Sequence, residues 1–279
     1  MITEKGNASG SAFKFPNTVY NAAGGYLSIC SGIKGYNVTV TNGAQSGLAS
    51  MAYAMSVLRS GQENAMLATG SDENSDIMTE LFGKLGVTSE SVVTPFAGND
   101  GFVLSDGSAS VLIEDEKSAK ERGARIYCHV TGYGMAHSNV KFGTLTGSEA
   151  GLTNAVNNAL ADAGMTIDDI DAVFGFANGM KAVDDVEIKG LTAVFGDKLA
   201  EKPVVELKEV LGESRAAAAT TAAAHAALMF AGKIPSQDAY SIAADGSVSK
   251  TNVEASKLNN VLVAAYGAGG SYTAIVLSK

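Results

Sequence analysis

Asp100-Gly101-Phe102-Val103-Leu104-Ser105-Asp106-Gly107 is the stretch from which the fold of this chain can be read. Ser105-Asp106-Gly107 has the side chains of a tight turn, so strands are expected at residues 102–104 and 108–113 on either side of it. Upstream, residues 64–69 read as a strand and 76–84 as a helix. Before these, the β-branched alternation of residues 36–41 predicts a strand. Gly43 then opens a helix over 44–58, with Leu48, Met51, Met55 and Leu58 on one face. Downstream come a short charged helix over 116–122 and a strand over 125–133.

A second unit starts near Ser148. Its helix over 149–163 ends at Gly164, a natural C-cap. A strand at 172–176, a helix at 184–195 and a strand at 203–207 follow. The small-residue helix over 214–231 has Ser214 as its expected N-cap. Strands at 261–266 and 272–277 close the chain around Gly267-Ala268-Gly269-Gly270. Strands and helices in this alternation imply α/β layering with mixed sheets, in halves expected at residues 1–145 and 146–279.

Composition narrows the function. The 279 residues are 46% hydrophobic and 18% charged, which suits a soluble protein with one broad core or two fused halves. A net charge of −9 without a basic cluster argues against nucleic acid and against an anionic membrane. Cys30 and Cys128 cannot build a disulfide framework and are expected to be reduced core thiols in a cytoplasmic protein. Residues 1–13 are polar, without the apolar run of a secretory signal. The apolar stretch 216–231 is alanine-rich and broken by Thr220, Thr221 and His225, as in a buried helix and unlike a bilayer span.

Several segments together resemble the β-ketoacyl synthase family of the thiolase-like fold. Phe15-Pro16-Asn17-Thr18-Val19 through Ser31-Gly32-Ile33-Lys34-Gly35 is similar to the family's approach to its catalytic elbow, and Ser46-Gly47-Leu48 to the start of the elbow helix. Asp100 to Gly107 is close to the DGFVLGEG turn, residues 114–127 continue as its charged segment, and Gly267-Ala268-Gly269-Gly270-Ser271 stands at the terminal GFGGTN loop. The resemblance implies an α/β/α/β/α layering with mixed five-stranded sheets. The first half is incomplete, because the two strand–helix units that open it in the family have no counterpart. A separate polypeptide, or the other piece of a split or cleaved gene, is therefore expected to supply them and to pair the strand edges left open.

The same resemblance locates the catalytic positions. The family carries a cysteine at the elbow, its thiolate favoured by the helix N-terminus. Ungapped alignment puts Ala44 there, and a methyl group forms no thioester. Cys30 precedes the strand and does not replace it. Of the two histidines that stabilise the enolate formed on decarboxylation, the first is replaced by Asn178 in Ala177-Asn178-Gly179-Met180-Lys181, ahead of Asp184 and Glu187. The second is replaced by Glu213 in Lys208-Glu209-Val210-Leu211-Gly212-Glu213, where the lysine is kept and a carboxylate would repel a malonyl group. His129, His137 and His225 share no metal-ligand spacing and are expected to be structural or exposed; no cofactor is implied. Gln45 reaches the cysteine position only after a one-residue slip, and is otherwise a polar residue at a helix start.

A subunit of this description resembles a chain length factor, which pairs with an active ketosynthase and shapes the tunnel for the growing chain. Gln45, Ser50, Met51 and Met55 are the expected tunnel or interface residues, with Ala268 opening the position where the family has a gatekeeping phenylalanine. The acidic charge makes the chain a poor direct receptor for an acyl carrier protein, which would dock through the partner. The rival readings are a malonyl-carrier decarboxylase using Gln45 and Asn178, and a scaffold with no tunnel role.

Overall fold

The computed structural model describes residues 13–141, 145 and 147–279, in two compact units, residues 1–41 and 42–279. In the first unit, helix α1 (Ala22–Ser31) ends at Gly32, whose φ of 65° is the left-handed conformation that glycine adopts without strain. Cys30 lies exposed on this helix, so it is not the core thiol its apolar neighbours suggest. Residues 36–41 form no strand. Alternation supplies a face, but a strand exists only where another lies alongside, and no ladder partner is found among the described residues.

In the second unit, the 3-10 turn Gly43–Gln45 leads into α2 (Ser46–Arg59), followed by β1 (Ala65–Asp72) and α3 (Asp76–Lys84). Then come β2 (Gly107–Glu114), α4 (Glu116–Glu121), β3 (His129–His137) and α5 (Glu149–Ala163). After β4 (Ala172–Phe174) the chain forms α6 (Lys181–Phe195), β5 (Val204–Val205), the single turn α7 (Lys208–Leu211) and α8 (Ala216–Phe230). The hairpin β6 (Ser236–Ile242) and β7 (Val248–Glu254) precedes β8 (Asn260–Gly267) and β9 (Ser271–Ser278).

β1 and β2 form an antiparallel pair with Leu67 opposite Leu112 and Thr69 opposite Ser110. The other strands form one mixed sheet in the order β3-β9-β8-β4-β5-β6-β7, parallel at β8-β4 and β4-β5 and antiparallel elsewhere. Among the described residues the sheets thus hold two and seven strands, against an expectation of five-stranded sheets with the first half incomplete. The β6–β7 hairpin extends the large one beyond five. Residues 102–104 form isolated bridges at Phe102 and Leu104 and no hairpin arm, because their partners are Thr88 and Glu213. β3 precedes the expected boundary at 145/146, yet it is an edge strand of the large sheet, paired along β9.

α2 and α8 lie between the two sheets. Leu48, Met51 and Ala54 of α2 and Ala219, Ala222, Ala223 and Ala226 of α8 share a core with Phe174, Val263 and Ile275 of the large sheet. Full burial of a side chain such as Leu48 contributes about 1.5–3 kcal/mol. The small residues let the helices touch: a Cβ on Gly47 would collide with the Thr220 hydroxyl and the Ala216 carbonyl. α5 and α6 cover the opposite face, with Leu152, Val156 and Leu191 fully buried on Val173, Leu262 and Val276. Among the described residues no helix is long and apolar enough to cross a membrane.

Candidate functional site

β4 runs out of the large sheet at Phe174, and the loop after it turns at Asn178 and Gly179 into α6. Asp184, in the first turn of α6, holds that loop by accepting hydrogen bonds from the backbone N–H groups of Asn178 (3.0 Å), Gly179 (3.2 Å) and Phe96 (2.7 Å). Burial raises its pKa, and the three N–H donors work in the opposite direction.

Asn178 and Glu213 are brought into direct contact. The Asn178 amide donates to Glu213 Oε2 at 2.9 Å, and the Lys208 ammonium donates to the same oxygen at 2.7 Å and to the Phe176 carbonyl at 3.1 Å. Glu213 Oε1 accepts from the Arg215 backbone N–H at 2.8 Å. The Asp100–Gly107 stretch fixes Glu213 from the other side: Glu213 N–H donates to the Val103 carbonyl (2.7 Å), and Ser105 N–H donates to the Glu213 carbonyl (3.2 Å). Both carboxylate oxygens are thus engaged in a buried, charge-assisted network. An ionised carboxylate only accepts hydrogen bonds, so Glu213 in this state offers no donor to a developing oxyanion.

Beneath this network lies a second acid group. Glu187 accepts from Phe176 N–H at 2.8 Å through Oε2. Its Oε1 and both oxygens of Glu206 are buried without a hydrogen-bond partner among the described groups. Glu187 Oε1 and Glu206 Oε1 crowd the space where a Cβ on Gly175 would stand, so only glycine fits there. Burial, and then the charge of Glu187, push the Glu206 pKa well above the usual carboxylate range; burial also raises Glu187. Two adjacent buried carboxylates cannot both ionise cheaply, so the pair is expected to retain a proton between them.

The elbow holds none of these acids. Ala44 is half-buried on the 3-10 turn, which packs against the β8–β9 turn at Gly267 and Ala268. Gln45 is fully buried, and its Oε1 accepts from the Thr273 hydroxyl on β9. It faces the sheet. Ser50 is half-buried and Ala268 is exposed. Met51 and Met55 floor an open groove of about 980 Å³ beside β2. Cys128 lines the same groove, and burial pushes its thiol up to about 11. His129 and His137 are the end residues of β3, and His225 lies inside α8, where burial lowers its pKa. Among the described residues no three His, Cys, Asp or Glu side chains are grouped to hold a metal.

Arg215 joins the site to the small sheet. Its backbone has φ 46°, a strained value for a residue with a side chain, and its N–H caps Glu213. Its guanidinium pairs with Asp72 at the end of β1 and bonds Asn74 (2.5 Å) and the Glu73 carbonyl (3.0 Å).

Residues 1–119 match the family described as "Beta-ketoacyl synthase, N-terminal domain" and residues 127–240 the one described as "Beta-ketoacyl synthase, C-terminal domain". The chain belongs to the β-ketoacyl synthase family. The 3-oxoacyl-[acyl-carrier-protein] synthase 2 of Vibrio cholerae is 30% identical over 204 residues, 70% of this chain and 49% of that protein. The solved ishigamide ketosynthase/chain length factor superposes with a TM-score of 0.82 at 24% identity, covering 94% of this chain and 65% of that one. A type II polyketide synthase ketosynthase solved with its acyl-carrier protein gives 0.85 at 20% identity, covering 98% and 72%. At these identities the superpositions establish the thiolase-like fold of this β-ketoacyl synthase relative. The chain spans about half the length of the curated relatives it matches.

Proposed function

We propose that this chain is a non-catalytic β-ketoacyl synthase subunit of the chain length factor type. In this reading it pairs with an active ketosynthase in the cytoplasm and shapes the space for the acyl or polyketide chain, in type II polyketide or fatty-acid-like biosynthesis. One observation carries it: the elbow presents Ala44, while Asn178, Glu213 and Lys208 are bonded to one another in a closed network. The superposition on the ishigamide ketosynthase/chain length factor supports it at the level of fold. The acyl carrier protein is reached through the partner, since a net charge of −9 disfavours direct docking of an acidic protein.

Chemistry and tunnel are tested separately. Purified chain incubated with acyl- and malonyl-carrier protein is expected to gain no covalent mass and release no carbon dioxide. An acyl adduct, or decarboxylation, overturns the non-catalytic assignment. Of the three tunnel candidates on α2, Ser50 is the half-buried one, whereas Met51 and Met55 are 2% and 4% exposed and already packed under the groove, so added bulk is best placed at Ser50. Ser50→Phe in a reconstituted pair is expected to shorten the product, and an unchanged product profile removes the tunnel role and leaves a scaffold. The decarboxylase reading finds little support, because Gln45 is enclosed with its carbonyl oxygen held by Thr273.

A further inference from the structure

We propose that Glu187 and Glu206 form a proton-operated switch for Lys208: when the pair gives its proton to solvent, the Lys208 ammonium turns from Glu213 to the pair. This goes beyond the subunit reading and does not depend on it.

The parts lie on one short path. Lys208 stands two residues beyond Glu206 in the chain, at the head of α7. Its ammonium donates to the Phe176 carbonyl at 3.1 Å, and the N–H of that same residue donates to Glu187 Oε2 at 2.8 Å. A single residue thus separates the cation from the acids. Glu187 Oε1 and Glu206 Oε1 converge on the point where a Gly175 Cβ would stand. These two oxygens and Glu206 Oε2 have no hydrogen-bond partner among the described groups. A proton held between the acids satisfies one oxygen of each, and its loss leaves two buried charges facing each other.

Lys208 is able to move. α7 is a single turn without a buried residue, and it ends at Gly212 with φ 75°. The ammonium carries three N–H donors on a flexible four-carbon stem. Glu213 can release it, because the Asn178 amide still holds one oxygen and the Arg215 N–H the other. The Arg215 guanidinium is turned to Asp72 and does not take its place.

The charges that face the pair come from three elements. Asp184 of α6 opposes ionisation of either acid, and Lys208 of α7 favours it. Tyr240 of β6 feels the charges of Glu206 and Asp184; its hydroxyl donates to Glu209 and accepts from Lys250. Lys250 is itself paired with Glu209 at 2.6 Å, which leaves Lys208 as the cation that answers a second charge.

The switch changes what the site presents. With the pair protonated, the ammonium neutralises Glu213 beside Asn178. With the pair ionised, the ammonium is sunk among the acids and Glu213 is left as an uncompensated carboxylate. An anionic ligand group is then repelled where before it met a neutral ion pair.

The test uses the full chain and follows the protonated-carboxyl stretch by infrared spectroscopy from pH 4 to pH 10. Loss of the band in Glu206→Gln assigns it to the pair. Lys208→Met is expected to raise the midpoint of proton release by about one pH unit or more. Glu213→Gln frees the ammonium and is expected to lower the midpoint by about half a pH unit or more, with no such effect in a Lys208→Met background. In NMR spectra of the parent, the Asn178 side-chain amide and the Arg215 N–H are expected to shift with the same midpoint, and to stay fixed in Glu206→Gln. A parent that shows no band at pH 4, or keeps it to pH 10, overturns the switch. So does a midpoint indifferent to Glu213→Gln, or one lowered equally with and without Lys208. Asn178 and Arg215 resonances that ignore the pair's titration overturn the movement of Lys208, and they decide the matter alone should Lys208→Met fail to fold.

Discussion

Replacing Glu206 by glutamine tests the shared proton beneath the site. Glu206 is 4% exposed, both its oxygens lack a donor, and Glu187 Oε1 adjoins it over Gly175. The nearby ammonium, Lys208, is already committed to Glu213 and the Phe176 carbonyl. A carboxyl whose pKa is raised on folding binds its proton more tightly folded than unfolded. The pair therefore contributes its full stability below the ordinary glutamate value of 4.5, and that contribution is lost as pH rises through the elevated folded value. Each unit by which the folded value exceeds the unfolded one corresponds to about 1.4 kcal/mol lost over that climb. Glutamine keeps the shape, removes the second charge and offers an N–H to Glu187. An unsatisfied buried polar group costs about 1–3 kcal/mol, so Glu206→Gln is expected to stabilise the fold by about that much near pH 8 and by little near pH 4. In a melting experiment this is an upward shift of about 2–4 °C per kcal/mol at the higher pH, with a flatter stability–pH profile. Equal melting of variant and parent near pH 8, or destabilisation at both pH values, refutes the reasoning.

Three further outcomes follow from packing and exposure. Gly175→Ala forces a methyl group into both carboxylates and is expected to cost about 3 kcal/mol or more by denaturant titration, with part recovered in Gly175→Ala/Glu206→Ala. Arg215→Met strips Asp72 of its cation, and removing one partner of a largely buried pair is expected to cost about 3–5 kcal/mol in the same titration. A soluble thiol reagent near pH 8 is expected to modify exposed Cys30 rapidly and Cys128 slowly, because burial holds that thiol at about 11; mass measurement of early adducts reads this directly.

The parts of the fold legible in the sequence are those whose signals are local. α5 ends where Gly164 takes φ 66°, and α3 begins behind Ser75, whose hydroxyl accepts from Met78 N–H at 3.3 Å. β8 and β9 are legible as apolar runs about a glycine turn. What depends on distant partners is not. Residues 36–41 alternate as a strand does and find no neighbour, while residues 102–104 bridge to Thr88 and Glu213. The β6–β7 hairpin escapes detection because its strands are largely polar, although Asp245-Gly246, with φ 81° at the glycine, is the turn signal that would find it. Ser214 is not the cap of α8; that place falls to Arg215. Within the site, Ala44, Asn178 and Glu213 are found by resemblance to the family's motifs. Glu206 and Arg215 are not, since their roles come from tertiary contacts. A glutamate within the apolar run Val204-Val205-Glu206-Leu207 is the one local hint.

The bent backbone at Arg215 has a mechanical consequence. Its conformation is costly, and it is held by bonds to Asp72, Glu73 and Asn74 at one end and to Glu213 at the other. Loosening the last residues of β1 releases that clamp and lets the first turn of α8 relax. The end of β1 and the start of α8 are therefore expected to open together, with their amides exchanging with solvent at matching free energies in a native-state hydrogen-exchange experiment.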